Sequence, residues 1–212
     1  DEARASAMDG KFKRYAFTQS GVSPRVLPGT EGFAYVAATD DHAERGVLIS
    51  DEHTNAAIRR KIQEKRMQKP EGVLAKLPVP QLEGPPGADL TLIGWGSTWG
   101  VISEAASRLT QIGIQTNHLH FRYVFPFHSK EVRDILEGCK RTVGVECNYT
   151  GQFARHLRAE TGFSVDDMLL KYDGEPFEIG ELVDRLKGIF EGQPEDLQVT
   201  EPEAREIAYH YI

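Results

Sequence analysis

The chain has 212 residues, a net charge of −7 at pH 7, 40% hydrophobic and 27% charged residues. This length allows one large domain or a domain with appendages, and no apolar run is long enough for a membrane helix. The acidic balance argues against a general nucleic-acid binder, because phosphate affinity requires clustered cations. Without a signal-peptide pattern, and with Cys139 and Cys147 too few for a metal cluster, the sequence predicts a cytoplasmic protein with reduced thiols. Because it opens on Asp1, we also expect a truncated or excerpted chain.

Residues 1–50 are rich in Gly, Pro, Ser and Thr and predict an irregular N-terminal segment. Within it, Pro24 and Pro28 restrict the backbone on either side of Arg25. A guanidinium held on a stiff loop is suited to binding a carboxylate through two parallel, charge-assisted hydrogen bonds. The alternative is an ordinary exposed arginine with a surface partner.

A helix is predicted from a cap at Thr54 to about Lys69, with Pro70 ending it. Its many basic side chains are expected to form a solvated face, with an intersubunit contact as the alternative. The proline- and glycine-rich stretch Lys76–Ala88 is typical of an extended linker and marks a domain boundary.

Beyond the linker, apolar β-branched runs alternate with segments of helical spacing. This alternation predicts an α/β fold, a largely parallel, doubly wound sheet in a three-layer αβα arrangement. The composition of residues 191–212 predicts a mobile acidic tail. The predicted strands are Asp89–Gly94, Gln115–Phe121, Arg141–Cys147 and Met168–Tyr172, and the predicted helices are Thr98–Ile112, Ser129–Gly138, Gln152–Thr161 and Ile179–Phe190.

The glycine turn after the first of these strands is a possible ligand site. Gly94, Gly96 and Gly100 follow a strand and open a helix, one residue longer than the common dinucleotide fingerprint. A dinucleotide site also needs an acidic residue near the end of the next strand, where this chain has histidines, and the turn's tryptophans would crowd a pyrophosphate. Nucleotide binding is therefore disfavoured.

Histidines and a cysteine also lie near the predicted strand ends. His118 and His120 share one side of a strand, and with His128 they would offer three imidazoles to a zinc ion. No carboxylate or thiol is placed to complete the set, so we predict no metal site. Cys147 as a nucleophile would need a base that the sequence does not identify, and hydrogen bonding or packing is the simpler interpretation of Val145–Gln152.

Three stretches in this order and separation resemble one family: Gly21–Thr30, Leu92–Ser97 and Val145–Gln152. They are similar to the C-terminal part of the α subunit in the 2-oxoacid:ferredoxin oxidoreductases, especially the 2-oxoglutarate type. The resemblance implies three parts, namely residues 1–80 as the end of a pyrimidine-binding domain with a linker helix, 81–190 as a transketolase C-terminal-like domain, and 191–212 as the acidic tail.

The resemblance further implies coenzyme A-dependent oxidative decarboxylation with thiamine diphosphate and Mg²⁺, giving an acyl-coenzyme A and reduced ferredoxin. The cofactor's diphosphate and a [4Fe-4S] cluster are expected chiefly on a β subunit. The cofactor-activating glutamate belongs to an N-terminal part of the α subunit that precedes Asp1, so this chain alone should be inactive. Arg25 corresponds to the arginine that holds the substrate carboxylate, and Thr30 is a second substrate-binding candidate. The alternatives are a non-catalytic α/β assembly or small-ligand-binding module, and a dinucleotide-dependent enzyme.

Overall fold

A computed structural model describes residues 12–33, 41–46 and 55–193 of the chain. The chain divides into two compact units, residues Asp1–Pro78 and Val79–Ile212. Among the described residues, no helix combines the length and apolar character needed to cross a membrane.

The first unit contains one long helix, α1, over Ala56–Leu74. Asn55 caps it, its side-chain oxygen accepting from the amides of Ala57 and Ile58, whereas the predicted cap Thr54 lies outside the described residues. The prediction that Pro70 ends the helix is wrong. A proline has no N–H and so removes one intrahelical hydrogen bond, but the helix continues past Pro70 to Leu74.

The predicted solvated face of α1 is only partly solvated. Arg59 and Arg66 both pair with the buried Asp41, each at 2.6 Å between guanidinium nitrogen and carboxylate oxygen. Ile62 and Lys65 are the helix's buried residues. The helix is therefore fixed to residues 41–46 by charge pairs rather than by a broad apolar stripe.

The second unit is an α/β domain, which confirms the predicted fold class. Every strand and helix predicted beyond the linker is present, with ends that shift by no more than two residues. The strands are β1 (Leu82–Glu83), β2 (Leu90–Trp95), β3 (Thr116–Phe121), β4 (Thr142–Glu146) and β5 (Asp167–Leu170), and the helices are α2 (Trp99–Gln111), α3 (Ser129–Glu137), α4 (Gln152–Thr161) and α5 (Ile179–Phe190).

The sheet has five strands in the order β1-β3-β2-β4-β5. Strands β2 to β5 pair in parallel, and β1 pairs antiparallel with β3 at one edge. The prediction of an extended linker missed β1, because a two-residue strand beside prolines and glycines has no periodicity of its own and is defined by its partner.

Two apolar cores cover opposite faces of the sheet, as a three-layer arrangement requires. Leu92 of β2 faces the core formed with α2 and α5, and its neighbour Ile93 faces the core formed with α3 and α4. This inversion follows from the two-residue period of a strand. Because β2 is buried on both faces, its sequence Leu90–Trp95 is a nearly continuous apolar run.

Candidate functional site

In the first unit, Arg25 lies at the end of a loop, residues 14–25, whose two ends are joined by hydrogen bonds. The Ser23 hydroxyl donates to the Ala16 carbonyl at 3.1 Å, and the Arg14 guanidinium donates to the Pro24 carbonyl at 3.4 Å. Arg25 lies immediately after these contacts and is exposed. Among residues 12–33, 41–46 and 55–193, none forms an ion pair or hydrogen bond with its guanidinium.

Thr30 lies in a turn a few residues farther along the same segment. Its amide and its hydroxyl both bond to the Leu27 carbonyl, at 3.3 Å and 2.8 Å respectively. The hydroxyl proton is thus used within the turn, and binding an anion would require the hydroxyl to change partner. Arg25 and Thr30 are both exposed.

In the second unit, the carboxyl ends of β2 and β4 form the crevice where α/β sheets usually bind ligands. These strands are neighbours, and the helices that follow them, α2 and α4, lie on opposite faces of the sheet. The crevice is partly occupied by the protein itself, since Trp95 stacks on Phe153 at 5.9 Å between ring centroids. Phe153 in turn lies 4.8 Å from the ring of Phe121.

The N-terminus of α4, the other common anion site, is already capped. The buried Glu146 carboxylate accepts from the amides of Phe153 and Ala154 at 2.9 Å and 2.8 Å. Asn148 donates to the same carboxylate at 2.6 Å and accepts from the amide of Gln152 at 3.1 Å. The first three amides of the helix are therefore satisfied by this chain, and the polar stretch after β4 has a structural role at this helix end.

His118 and His120 are packed against the glycine turn rather than exposed at the strand end. Their ring centroids are 5.2 Å apart, and His118 Nδ1 lies 3.4 Å from the Ser103 hydroxyl. Nitrogen Nε2 of His118 and Nδ1 of His120 are buried without a described partner. Within residues 12–33, 41–46 and 55–193, no group of three metal-ligating side chains converges, so His128 does not complete a site with them.

Burial lowers the pKa of His118 to about 3, with a smaller contribution from the charge of His120. The folded protein therefore keeps this imidazole neutral where the unfolded chain, with a pKa near 6.5, takes up a proton. The native state binds fewer protons, so stability is full above pH 6.5 and falls as the pH decreases toward 3.

We expect the free energy of unfolding of the second unit to drop by about 2 kcal/mol between pH 7 and pH 5 through His118 alone. His118→Leu should remove this part of the pH dependence, measured as the shift of the urea midpoint between the two pH values. Thr91→Val, at a buried and non-ionisable position on the neighbouring strand β2, is the control and should keep the wild-type pH dependence of the urea midpoint. If His118→Leu showed the same pH dependence of the urea midpoint as the wild type, His118 would not be the group responsible.

Known proteins are similar to this chain over most of its length. Residues 88–181 match the family model for the pyruvate:ferredoxin oxidoreductase core domain II. The subunit alpha from 2-oxoacid:ferredoxin oxidoreductase 2 in Aeropyrum pernix is 29% identical over 197 residues, 89% of this chain and 29% of that protein. The 2-oxoglutarate oxidoreductase subunit KorA from Mycobacterium tuberculosis is 32% identical over 151 residues, 70% of this chain and 22% of its own length.

A solved structure is similar across most of the chain. The 2-oxoglutarate:ferredoxin oxidoreductase from Magnetococcus marinus, with 2-oxoglutarate, coenzyme A and succinyl-CoA bound, matches with a TM-score of 0.70 at 30% identity. The match covers 84% of this chain and 31% of that one. The chain belongs to the 2-oxoacid:ferredoxin oxidoreductase α-subunit family. It spans less than a third of the length of these relatives.

The cysteines and the start of α4 in this α-subunit family member do not fit the cofactors that its family implies. Cys139 donates its thiol proton to the Ile135 carbonyl, and Cys147 is exposed, so the described cysteines form no cluster ligand set. At the capped end of α4, the Glu146 carboxylate would repel a diphosphate. We therefore derive no catalytic step through either group from these residues.

Proposed function

We propose that this chain is part of the α subunit of a cytoplasmic 2-oxoglutarate:ferredoxin oxidoreductase. The complete enzyme converts a 2-oxoacid and coenzyme A into acyl-coenzyme A and CO₂, with the electrons passed to ferredoxin. In this proposal residues 1–80 end the pyrimidine-binding domain, 81–190 form the transketolase C-terminal-like domain, and 191–212 form a tail, of which the part from residue 194 lies outside the described residues.

The observation that carries the proposal is the exposure of the Arg25 guanidinium. Its guanidinium is exposed and unpaired among the described residues, and it projects from a loop closed by its own hydrogen bonds. Such a group can donate two parallel hydrogen bonds to a carboxylate, which every 2-oxoacid carries and 2-oxoglutarate carries twice. Arg25 therefore binds and orients the substrate, and Thr30 supports the same anion or the shape of the loop.

The second unit serves assembly in this proposal. Its usual ligand crevice contains Trp95 and Phe153, and the N-terminus of α4 is capped by Glu146. Partners hold what these residues do not, namely a β subunit with the [4Fe-4S] cluster and most of the contacts to thiamine diphosphate and Mg²⁺, and the N-terminal part of the α subunit. Bound thiamine diphosphate would supply the decarboxylation chemistry.

The test is the native complex, purified through this chain. We expect a co-purifying β chain, a brown iron–sulfur absorbance, and coenzyme A-dependent reduction of ferredoxin that is faster with 2-oxoglutarate than with pyruvate. A faster reaction with pyruvate would contradict the assignment of 2-oxoglutarate as the substrate. The proposed reaction class, oxidation of a 2-oxoacid by ferredoxin, would still hold. A colourless complex that is inert toward 2-oxoacids would instead support the alternative, a non-catalytic α/β module.

A further inference from the structure

Lys65 is a buried cation of the first unit that the proposed function does not use. It lies on α1 and is 8% exposed, and its ammonium group donates to the Tyr15 carbonyl at 2.7 Å. The ammonium also lies 5.6 Å from the centre of the Phe17 ring. Among the described residues it forms no ion pair. Burying an ammonium group without an ion pair costs free energy, which its hydrogen bond to the Tyr15 carbonyl partly offsets.

The electrostatics around Lys65 agree with this cost. Burial lowers the pKa of Lys65 to about 8, and the positive charges of Lys69, Arg14 and Arg66 act in the same direction, opposed by Glu44. Both desolvation and the neighbouring cations thus disfavour the charged ammonium form of Lys65.

The main chain of Lys65 contacts the same loop at a second point. Gly21 has φ +71° and packs directly on the Lys65 carbonyl, where an added Cβ would lie 2.5 Å from the oxygen. Between these contacts, the Thr18 hydroxyl donates to the Val22 carbonyl at 3.0 Å. Lys65 therefore holds both ends of the segment Tyr15–Gly21, which leads directly to Ser23 and Arg25.

We propose that Lys65 is a positioning residue for the substrate: by binding Tyr15 and supporting Gly21, it holds the loop that aims the Arg25 guanidinium at the 2-oxoacid carboxylate. This inference rests on the proposed function of Arg25. A loop held in its binding geometry loses less conformational entropy when the ligand binds, so the anchor affects substrate affinity without touching the substrate.

A merely structural lysine predicts a different result. Its loss would reduce the amount or the thermal stability of the folded complex, while the folded fraction would keep its KM values. A positioning lysine instead changes the KM for the 2-oxoacid, and it acts only while Arg25 is present.

The experiment compares variants of the assembled oxidoreductase by steady-state kinetics. Lys65→Met should raise the KM for 2-oxoglutarate about 10-fold, with kcat and the KM for coenzyme A changed less than twofold. Lys65→Arg, whose guanidinium can still donate to the Tyr15 carbonyl, should recover most of the affinity. Lys61→Met, an exposed lysine of the same helix, is the matched control and should resemble the wild type.

The decisive measurement is a double-mutant cycle. In an Arg25→Ala background, Lys65→Met should raise the KM for 2-oxoglutarate no further. Independent multiplication of the two effects, or an unchanged KM in the Lys65→Met single variant, would overturn the inference. If Lys65→Met does not assemble, Gly21→Ala tests the second contact and should raise the same KM, and an unchanged value there would equally refute the role of Lys65. A normal KM for 2-oxoglutarate in Arg25→Ala alone would refute the substrate role of Arg25 itself.

Discussion

Replacing Arg25 with alanine in the assembled oxidoreductase should raise the KM for 2-oxoglutarate on the order of 100-fold, about 3 kcal/mol, and leave the KM for coenzyme A within twofold. The loss is large because the guanidinium is not committed to any described residue and can direct its donors to the carboxylate. Steady-state kinetics with each substrate varied in turn measures the effect. Equal increases in both KM values would indicate that the loop supports the whole active complex rather than the 2-oxoacid.

Three further variants sharpen this result. Arg25→Lys keeps the charge without the planar fork, so it should recover only part of the affinity. Thr30→Ala should have a much smaller effect than Arg25→Ala, because the Thr30 hydroxyl already donates to the Leu27 carbonyl. Arg45→Ala removes another exposed arginine of the first unit and should leave the KM for 2-oxoglutarate unchanged.

Replacing Glu146 with alanine should lower the free energy of unfolding of the 212-residue chain by about 3–5 kcal/mol. The variant leaves the amides of Phe153 and Ala154 without an acceptor at the buried start of α4, and it removes the partner of Asn148. Because Phe153 also stacks on Trp95, the tryptophan fluorescence should report the same loss. Urea unfolding followed by fluorescence and by circular dichroism measures both.

Two carboxylate variants separate this cap from a general charge effect. Glu146→Gln retains one acceptor oxygen and should be destabilised by an intermediate amount. Glu137→Ala removes a carboxylate whose pair with Arg133 is exposed, and its effect should stay below about 1 kcal/mol. A Glu146→Ala midpoint equal to that of Glu137→Ala would show that the cap contributes nothing to stability.

The sheet unit could be predicted almost completely because its signals are local. Leu90–Ile93 is an apolar run followed by a glycine turn and a helical pattern, and the same alternation recurs through Phe190. The period of the apolar residues decides strand or helix within a few positions, and short connections between alternating elements leave few topologies other than a doubly wound sheet. The polar cluster after β4 was also visible, although its role as a helix cap was not.

The features around the candidate sites were decided by contacts between distant parts of the chain. Lys65 belongs to a run of basic residues whose pattern predicts a solvated face, and its burial results from a hydrogen bond to Tyr15, 50 positions away. Contacts between distant residues also decide the ion pairs of Asp41, the pairing of the edge strand β1, and the stacking of Trp95 on Phe153 in the crevice. The sequence by itself therefore determined the type and order of the regular elements from β2 to α5, because hydrophobic periodicity acts over neighbouring residues. Only the tertiary structure decided which charges are buried and which ligand crevices are filled, because desolvation depends on what packs against a side chain.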